Sequence, residues 1–220
     1  MTPTSQTMVT VGPAQDDGMP VWKRCGDVGL CMLLLPLFVL TASALLLINP
    51  FLNPGALLFS QRRVGLRGHE FSIFKFRTMA GGSAIPRFAP EETARLTPLG
   101  GLLRRAHLDE LPQIINILRG EMTFVGPRPE QPSFARIYEA ELPQYAQRYD
   151  VLPGITGLAQ LRQGYTSSLD ETRIKLRHDL EYIRRFSPRL DLLILGLTLR
   201  HALGLRLPTW SLPTLQRTRA

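Results

Sequence analysis

Between Val28 and Gln61 the chain carries no charged side chain. Inside that stretch, Leu30–Ile48 is apolar or Ala except for Cys31, Pro36, Thr41 and Ser43. As a helix it would be about 28 Å long, just enough for the hydrocarbon core of a bilayer. Three arrangements compete: a spanning helix, a signal peptide, and a helix that enters the bilayer and turns back. Ala42-Ser43-Ala44 resembles a signal cleavage site, but Leu45-Leu46-Leu47-Ile48 continues the apolar run beyond it. Lys23 and Arg24 precede the run, and Arg62, Arg63 and Arg67 follow it. Cytoplasmic flanks collect Lys and Arg, so both flanks read as cytoplasmic. Pro36 removes a backbone donor and offers a place to break. These features favour a re-entrant helix over residues 23–50, with a tilted single span as the alternative.

The rest of the chain is long enough for one domain. It has 220 residues, of which 44% are hydrophobic, so a packed core is expected. Two cysteines and four histidines without metal-ligand spacing exclude a disulfide scaffold and a zinc module. The net charge is +8, with 23 of the 26 cations Arg. Arg grips phosphate with two prongs, so phosphate-bearing partners fit, although codon bias would give the same composition.

Residues 1–22 have no apolar period and read as a disordered tail. Ala56–Val64 and Glu70–Phe76 read as strands joined by Gly65-Leu66-Arg67-Gly68 in a hairpin. In the second, Phe71, Ile73, Lys75 and Arg77 share one parity, which puts Lys75 and Arg77 on one face. Residues 80–95 read as a loop. Helical patterns cover Pro98–Ala106, Pro112–Arg119, residues 131–149, Glu171–Phe186 and the very apolar Leu190–Leu207, whereas 151–168 is loop-like. Glu171/Lys175 and Glu181/Arg185 are i,i+4 pairs. Leu190–Leu207 suits a helix in the membrane interface, or else a buried core helix. Residues 208–220 form a C-terminal tail.

The most informative block is Arg104-Arg105-Ala106-His107-Leu108-Asp109-Glu110-Leu111-Pro112-Gln113. Adjacent carboxylates before a Pro that opens a helix read first as an N-terminal cap. They also suit a nucleophile toward phosphorus beside a Mg²⁺ ligand, with the two Arg at phosphates. Gly126-Pro127-Arg128-Pro129 fixes one Arg between two prolines, and Pro153-Gly154-Ile155-Thr156-Gly157 is a turn signal. No GxGxxG or P-loop pattern is present, which argues against a soluble nucleotide-binding enzyme. A membrane-anchored basic module for nucleic acid or a protein partner stays open on composition. Nucleic acid is not expected, because the parity of Phe74-Lys75-Phe76-Arg77 separates aromatics from cations.

These blocks together resemble one family. Lys23-Arg24 with Asp27, Phe59 to Gly65, Phe74 to Met79, Leu99-Gly100 and Leu103-Arg104-Arg105 match it in order. So do Leu108 to Gln113, Asn116, Leu118, Gly120-Glu121-Met122, Val125 to Pro129 and Pro153 to Gly157. The chain resembles the bacterial sugar transferases, the monotopic polyprenyl-phosphate phosphoglycosyltransferases, in their minimal catalytic form. The resemblance implies transfer of a sugar-1-phosphate from a nucleotide sugar, of the UDP class, to undecaprenyl or another polyprenyl phosphate. A nucleoside monophosphate leaves, and the product opens polysaccharide or glycoconjugate synthesis. It implies Asp109 as the nucleophile that carries a covalent phosphosugar and Glu110 as the Mg²⁺ ligand. It puts phosphate contacts on Lys75, Arg104 and Arg128; the residues themselves add Arg105, from the Arg pair, and Arg77, from the strand face that it shares with Lys75. The implied fold is α+β and helix-rich: a re-entrant N-terminal membrane helix, a small antiparallel β-hairpin and interfacial amphipathic helices. The catalytic domain would span 51–207 on the cytoplasmic face of the inner membrane, in contact with membrane lipid. Leu152, Leu158 and Arg162 stand where the family favours Arg, an aromatic and Asn, in a loop expected to face the substrate.

Overall fold

In the computed structural model the described residues are 19–79, 96–163 and 168–205. Of the expected tail at 1–22 only residues 19–22 are among them, and Val21 and Trp22 already belong to the first helix rather than to a disordered tail. The expected tail at 208–220 and the loop at 80–95 lie outside them.

The apolar run forms one helix, α1 (Val21–Leu52), two residues longer at each end than expected. It does not end at Pro36. A proline removes a single donor, and the remaining bonds of an apolar helix hold it on both sides. The chain leaves at Asn53, whose N–H donates to Asn49 O (2.9 Å) just before Pro54. The buried side of α1 is its polar side: Lys23, Asp27, Cys31, Thr41, Leu45 and Asn49, spaced mostly four apart. The apolar side faces outward, with Leu33 73%, Leu40 68%, Leu47 75% and Phe51 83% exposed.

Both ends of α1 grip the same body. Lys23 Nζ donates to Val125 O (2.9 Å), and Asp27 Oδ1 accepts from Phe124 N (3.1 Å). At the other end, Asn49 Nδ2 donates to Gly55 O (3.3 Å) and Asn53 Nδ2 to Arg77 O (2.9 Å).

The hairpin forms as the pattern requires, except that its first strand begins at Leu58 rather than Ala56. β1 (Leu58–Val64) and β2 (Glu70–Phe76) pair antiparallel from Leu58↔Phe76 to Val64↔Glu70. The connection includes a 3-10 turn, Leu66–Gly68, with Arg67 left-handed. α2 (Pro98–Arg105) follows, capped by Thr97 Oγ1, which accepts from Gly100 N (3.0 Å). Gly100 lies on the Thr78 backbone, so close that a Cβ there would stand 2.0 Å from Thr78 O.

The expected helix at Pro112–Arg119 is shorter. Leu108–Gln113 is a 3-10 turn that leads into α3 (Ile114–Leu118). Left-handed His107 separates it from α2. Arg24 caps the C-terminal end of α3, donating to Ile117 O and, at 2.7 Å, to Leu118 O. The stretch 131–149 divides into α4 (Pro132–Glu141) and a 3-10 turn, Tyr145–Asp150. Pro143 is the reason, since it forces Leu142 into an extended conformation.

The segment 151–168 carries more structure than a loop. β4 (Gly154–Thr156) pairs parallel with β3 (Thr123–Val125), and α5 (Leu158–Arg162) follows. Strands of three residues give too short a pattern to read. α6 (Leu169–Arg184) and α7 (Pro188–Ala202) complete the body. Of the two helix pairs, Glu181 meets Arg185 at 3.0 Å, while Lys175 reaches across to Glu130 at 3.2 Å.

The main core joins Cys31, Ile73, Ile114, Ile117, Met122 and Ile194, so α1, β2, α3 and α7 share it. Leu45, Phe76 and Leu103 form a second cluster under α2. α7 is buried at Leu190, Ile194 and Leu197, but exposes Leu192 (70%) and Leu199 (61%). The buried face fits the core-helix reading, while the opposite face leaves apolar side chains exposed.

Candidate active site

The Leu108–Gln113 turn sits against β2 and presents its carboxylates there. Glu110 Oε1 accepts from Lys75 Nζ (2.6 Å) on β2 and from Arg128 Nη2 (2.7 Å) after β3. Arg128 also reaches Ile155 O (3.4 Å) on β4. The two proline-flanked and glycine-rich motifs thus meet through the β3–β4 pair. Glycine is required there: a Cβ on Gly154 would lie 2.1 Å from Gly126 N. Asp109 is buried next to Glu110. Glu110 turns to two side-chain cations, so the capping reading does not describe it.

The electrostatics separate the two carboxyls. Burial pushes Asp109 up, Lys75 and Arg104 pull it down, Glu110 pushes it up again, and the balance is a raised pKa. Burial would raise Glu110 too, but Arg128 and Lys75 outweigh it and hold it well below the usual carboxylate range. Burial lowers Lys75, with the Glu110 charge opposing. Asp109 is therefore the more basic carboxylate, and Glu110 is locked as an anion between cations.

The other expected phosphate contacts divide. Arg104 is half-buried, and its Nε donates to Thr78 Oγ1 (3.1 Å), two residues beyond β2. Arg105 is exposed on the last turn of α2, outside the hydrogen-bonded group of Lys75, Glu110 and Arg128. Arg77 does not join Lys75. Its guanidinium binds the carbonyls of Asn53 and Pro54, because the strand has ended at Phe76 and the residue closes the exit of α1.

The sequence reading missed two groups that shape the site. Asn116 is fully buried; its Oδ1 accepts from Phe74 N (3.1 Å) and its Nδ2 donates to Ser72 O (2.7 Å). It acts as a surrogate strand along β2, next to Lys75. Its place in the matched motif was the only signal. Arg148 donates from Nη2 to Arg128 O (2.8 Å), and nothing in the sequence marked it.

The expected substrate-facing substitutions lie elsewhere. Leu152 and Leu158 are buried. Arg162 binds Glu181 (2.8 Å) and His178 Nδ1 (3.0 Å) on α6. Apolar side chains at 152 and 158 follow the core, and the Arg finds its counter-charge in the helix behind.

The site is thus a pair of adjacent carboxylates, one of them clamped by Lys75 from β2 and Arg128 from the strap after β3, in a helix-rich body joined to a long apolar helix. Comparison with known proteins makes this specific. The sequence model of the bacterial sugar transferase family matches residues 19–204, and the chain belongs to that family. Over 180 residues it is 41% identical to the UDP-N-acetylgalactosamine-undecaprenyl-phosphate N-acetylgalactosaminephosphotransferase of Aeromonas hydrophila, covering 81% of this chain and 43% of that one. A UDP-glucose:undecaprenyl-phosphate glucose-1-phosphate transferase of Xanthomonas campestris pv. campestris is 45% identical over 158 residues, 69% of this chain and 32% of its own. Its counterpart in Caulobacter vibrioides is 40% identical over 187 residues, 83% of this chain and 70% of its own. The chain spans less than half the length of the first two relatives.

Proposed function

We propose that this chain transfers a sugar-1-phosphate from a UDP-sugar to a polyprenyl phosphate, releasing UMP. The observation that carries the reading is Glu110 clamped by Lys75 and Arg128 next to the more basic Asp109. Relatives with the same transfer in their names add support.

Asp109 is the nucleophile. A carboxylate Oδ forms a bond to the sugar-bearing phosphorus, the P–O–P bond breaks, and UMP leaves with that electron pair. A polyprenyl phosphate oxygen then attacks the same phosphorus. The Asp109 O–P bond breaks and the carboxylate returns. Glu110 cannot serve equally, because two cations hold its electron density. Lys75, Arg128 and Arg104 neutralise charge on the phosphoryl oxygens.

The donor set suits Mg²⁺. Among the described residues no group of three His, Cys, Asp or Glu forms a closed cage. Mg²⁺ needs only one or two carboxylates when substrate phosphates complete its shell. Glu110, beside Asp109, is the residue that would hold it. Bound there, it would supply further neutralisation of the diphosphate.

α1 supports a membrane placement. A helix that turns its polar stripe to the protein and its apolar side outward has lipid as its natural solvent. Both ends hold one body, so we infer a monotopic chain with both flanks on the cytoplasmic face, where nucleotide sugars are made available. The exposed face of α7 would extend the contact with lipid.

The test is a panel of UDP-sugars with the membrane-extracted protein, polyprenyl phosphate and Mg²⁺. UMP release with one or more sugars, lost on chelation, is expected. A protein that releases no UMP from any member would refute the reading.

A further inference from the structure

The strap that carries Arg128 has a structural difficulty. Pro127 and Pro129 have no N–H, so the strap is secured mainly through its carbonyls. Each of these finds a donor from a different part of the chain. Val125 O accepts from Lys23 Nζ and from Tyr182 Oη (both 2.9 Å). Pro127 O accepts from Gly154 N (2.9 Å), and Pro129 O from Arg63 Nη1 (3.2 Å). Arg128 O, on the residue that binds Glu110, accepts from Arg148 Nη2 (2.8 Å).

Arg148 is itself anchored. Its Nε donates to Asp179 Oδ2 (2.8 Å) on α6, and its Nη1 to Tyr145 Oη (2.5 Å). The ion pair is buried, with the side chains 3% and 2% exposed. Replacing a buried pair of this kind with apolar residues of similar volume is often neutral, so the pair is weak evidence of a stabilising role. Here the guanidinium's three nitrogens address three fixed points: a carboxylate, a phenol and the Arg128 backbone. That geometry needs the planar fork, which an ammonium does not reproduce.

We propose that Arg148, held by Asp179 and Tyr145, is a positioning residue: it fixes the Arg128 backbone so that the Arg128 side chain meets Glu110 and the substrate phosphate. It acts through Arg128 and does not itself touch substrate. The inference rests on the phosphoryl-transfer reading above, insofar as Arg128 serves there.

A double-mutant cycle tests it. Arg148→Lys should lower kcat/KM for UMP release at least tenfold. In an Arg128→Ala background the same change should cost under about twofold, because the group being positioned is gone. Tyr145→Phe removes one hydroxyl, keeps the packing, and should show the same non-additivity with a smaller drop of about threefold. Glu181→Gln, which disturbs α6 through the Arg162 pair, should leave kcat/KM within twofold and serves as the stability control. Equal losses in both backgrounds would mean that Arg148 only supports the fold and would overturn the proposal. A wild type that releases no UMP fails the functional reading instead. For that case a second readout stands alone: the NMR order parameter of the Arg128 Nε–H falls in Arg148→Lys. An unchanged order parameter overturns the positioning role whatever the activity.

Discussion

Arg128→Lys separates a phosphate fork from a turn residue. The substitution keeps the charge and the proline frame, but replaces a planar fork with one ammonium. In the structure the fork has two prongs, Nη2 on Glu110 Oε1 at 2.7 Å and Nη1 on Ile155 O at 3.4 Å. A lysine can keep the Glu110 contact only by giving up the second direction. A hydrogen bond to a charged group contributes about 1.5–3 kcal/mol. The Arg128 side chain is 29% exposed, so solvent screening places the loss at the lower end. About 1.4 kcal/mol is a tenfold drop in kcat/KM. The assay is UMP release at fixed Mg²⁺ and lipid, with thermal unfolding measured on the same preparations. The expected result is a drop of at least tenfold with little change in Tm. A lysine variant within twofold of wild type would refute the fork argument and leave Arg128 as a structural turn.

Other expectations follow from the same geometry. Asp109 must be ionised to attack, and its raised pKa places the acid limb of kcat/KM above the ordinary aspartate value of about 3.9. Arg104 is one of the cations that pull Asp109 down, so Arg104→Ala should move that limb to higher pH; a limb that stays put or moves down contradicts the assignment. Leu40→Arg combined with Leu47→Arg alters two outward-facing positions. The pair should shift the protein from membrane pellets to supernatant while it stays folded, and full retention in the pellet would count against lipid contact there. Gly100→Ala drives a Cβ into the Thr78 carbonyl. It should cost about 1–3 kcal/mol in chemical denaturation, and a neutral result would show that α2 shifts freely.

Several parts of this architecture were legible from residues alone. The β1–β2 register follows from two strand-like runs around a Gly-rich turn. Lys75, Glu110 and Arg128 could be paired in advance only through a motif resemblance, because they lie on three separate elements. Parity along β2 misplaced Arg77, since the strand ends one residue earlier. β3 and β4 were invisible for a physical reason: three-residue strands have no period, and they are held by glycines that let two backbones touch. Pro36 read as a break because a single proline was weighed against an isolated helix, whereas α1 packs on the body before and after it. Arg148 left no trace because a buried ion pair joins positions 148 and 179, which local sequence does not connect.

Trapping the covalent intermediate tests the central claim most directly. The purified protein is incubated with a UDP-sugar and Mg²⁺, without polyprenyl phosphate, and then analysed by intact-protein and peptide mass spectrometry. The account predicts one added sugar-1-phosphate, located on the peptide that contains Asp109. The adduct should disappear when polyprenyl phosphate is added and should be absent from Asp109→Asn. An Asp109→Asn protein that transfers at the wild-type rate, or an adduct that maps to Glu110, would contradict the assignment of the two carboxylates.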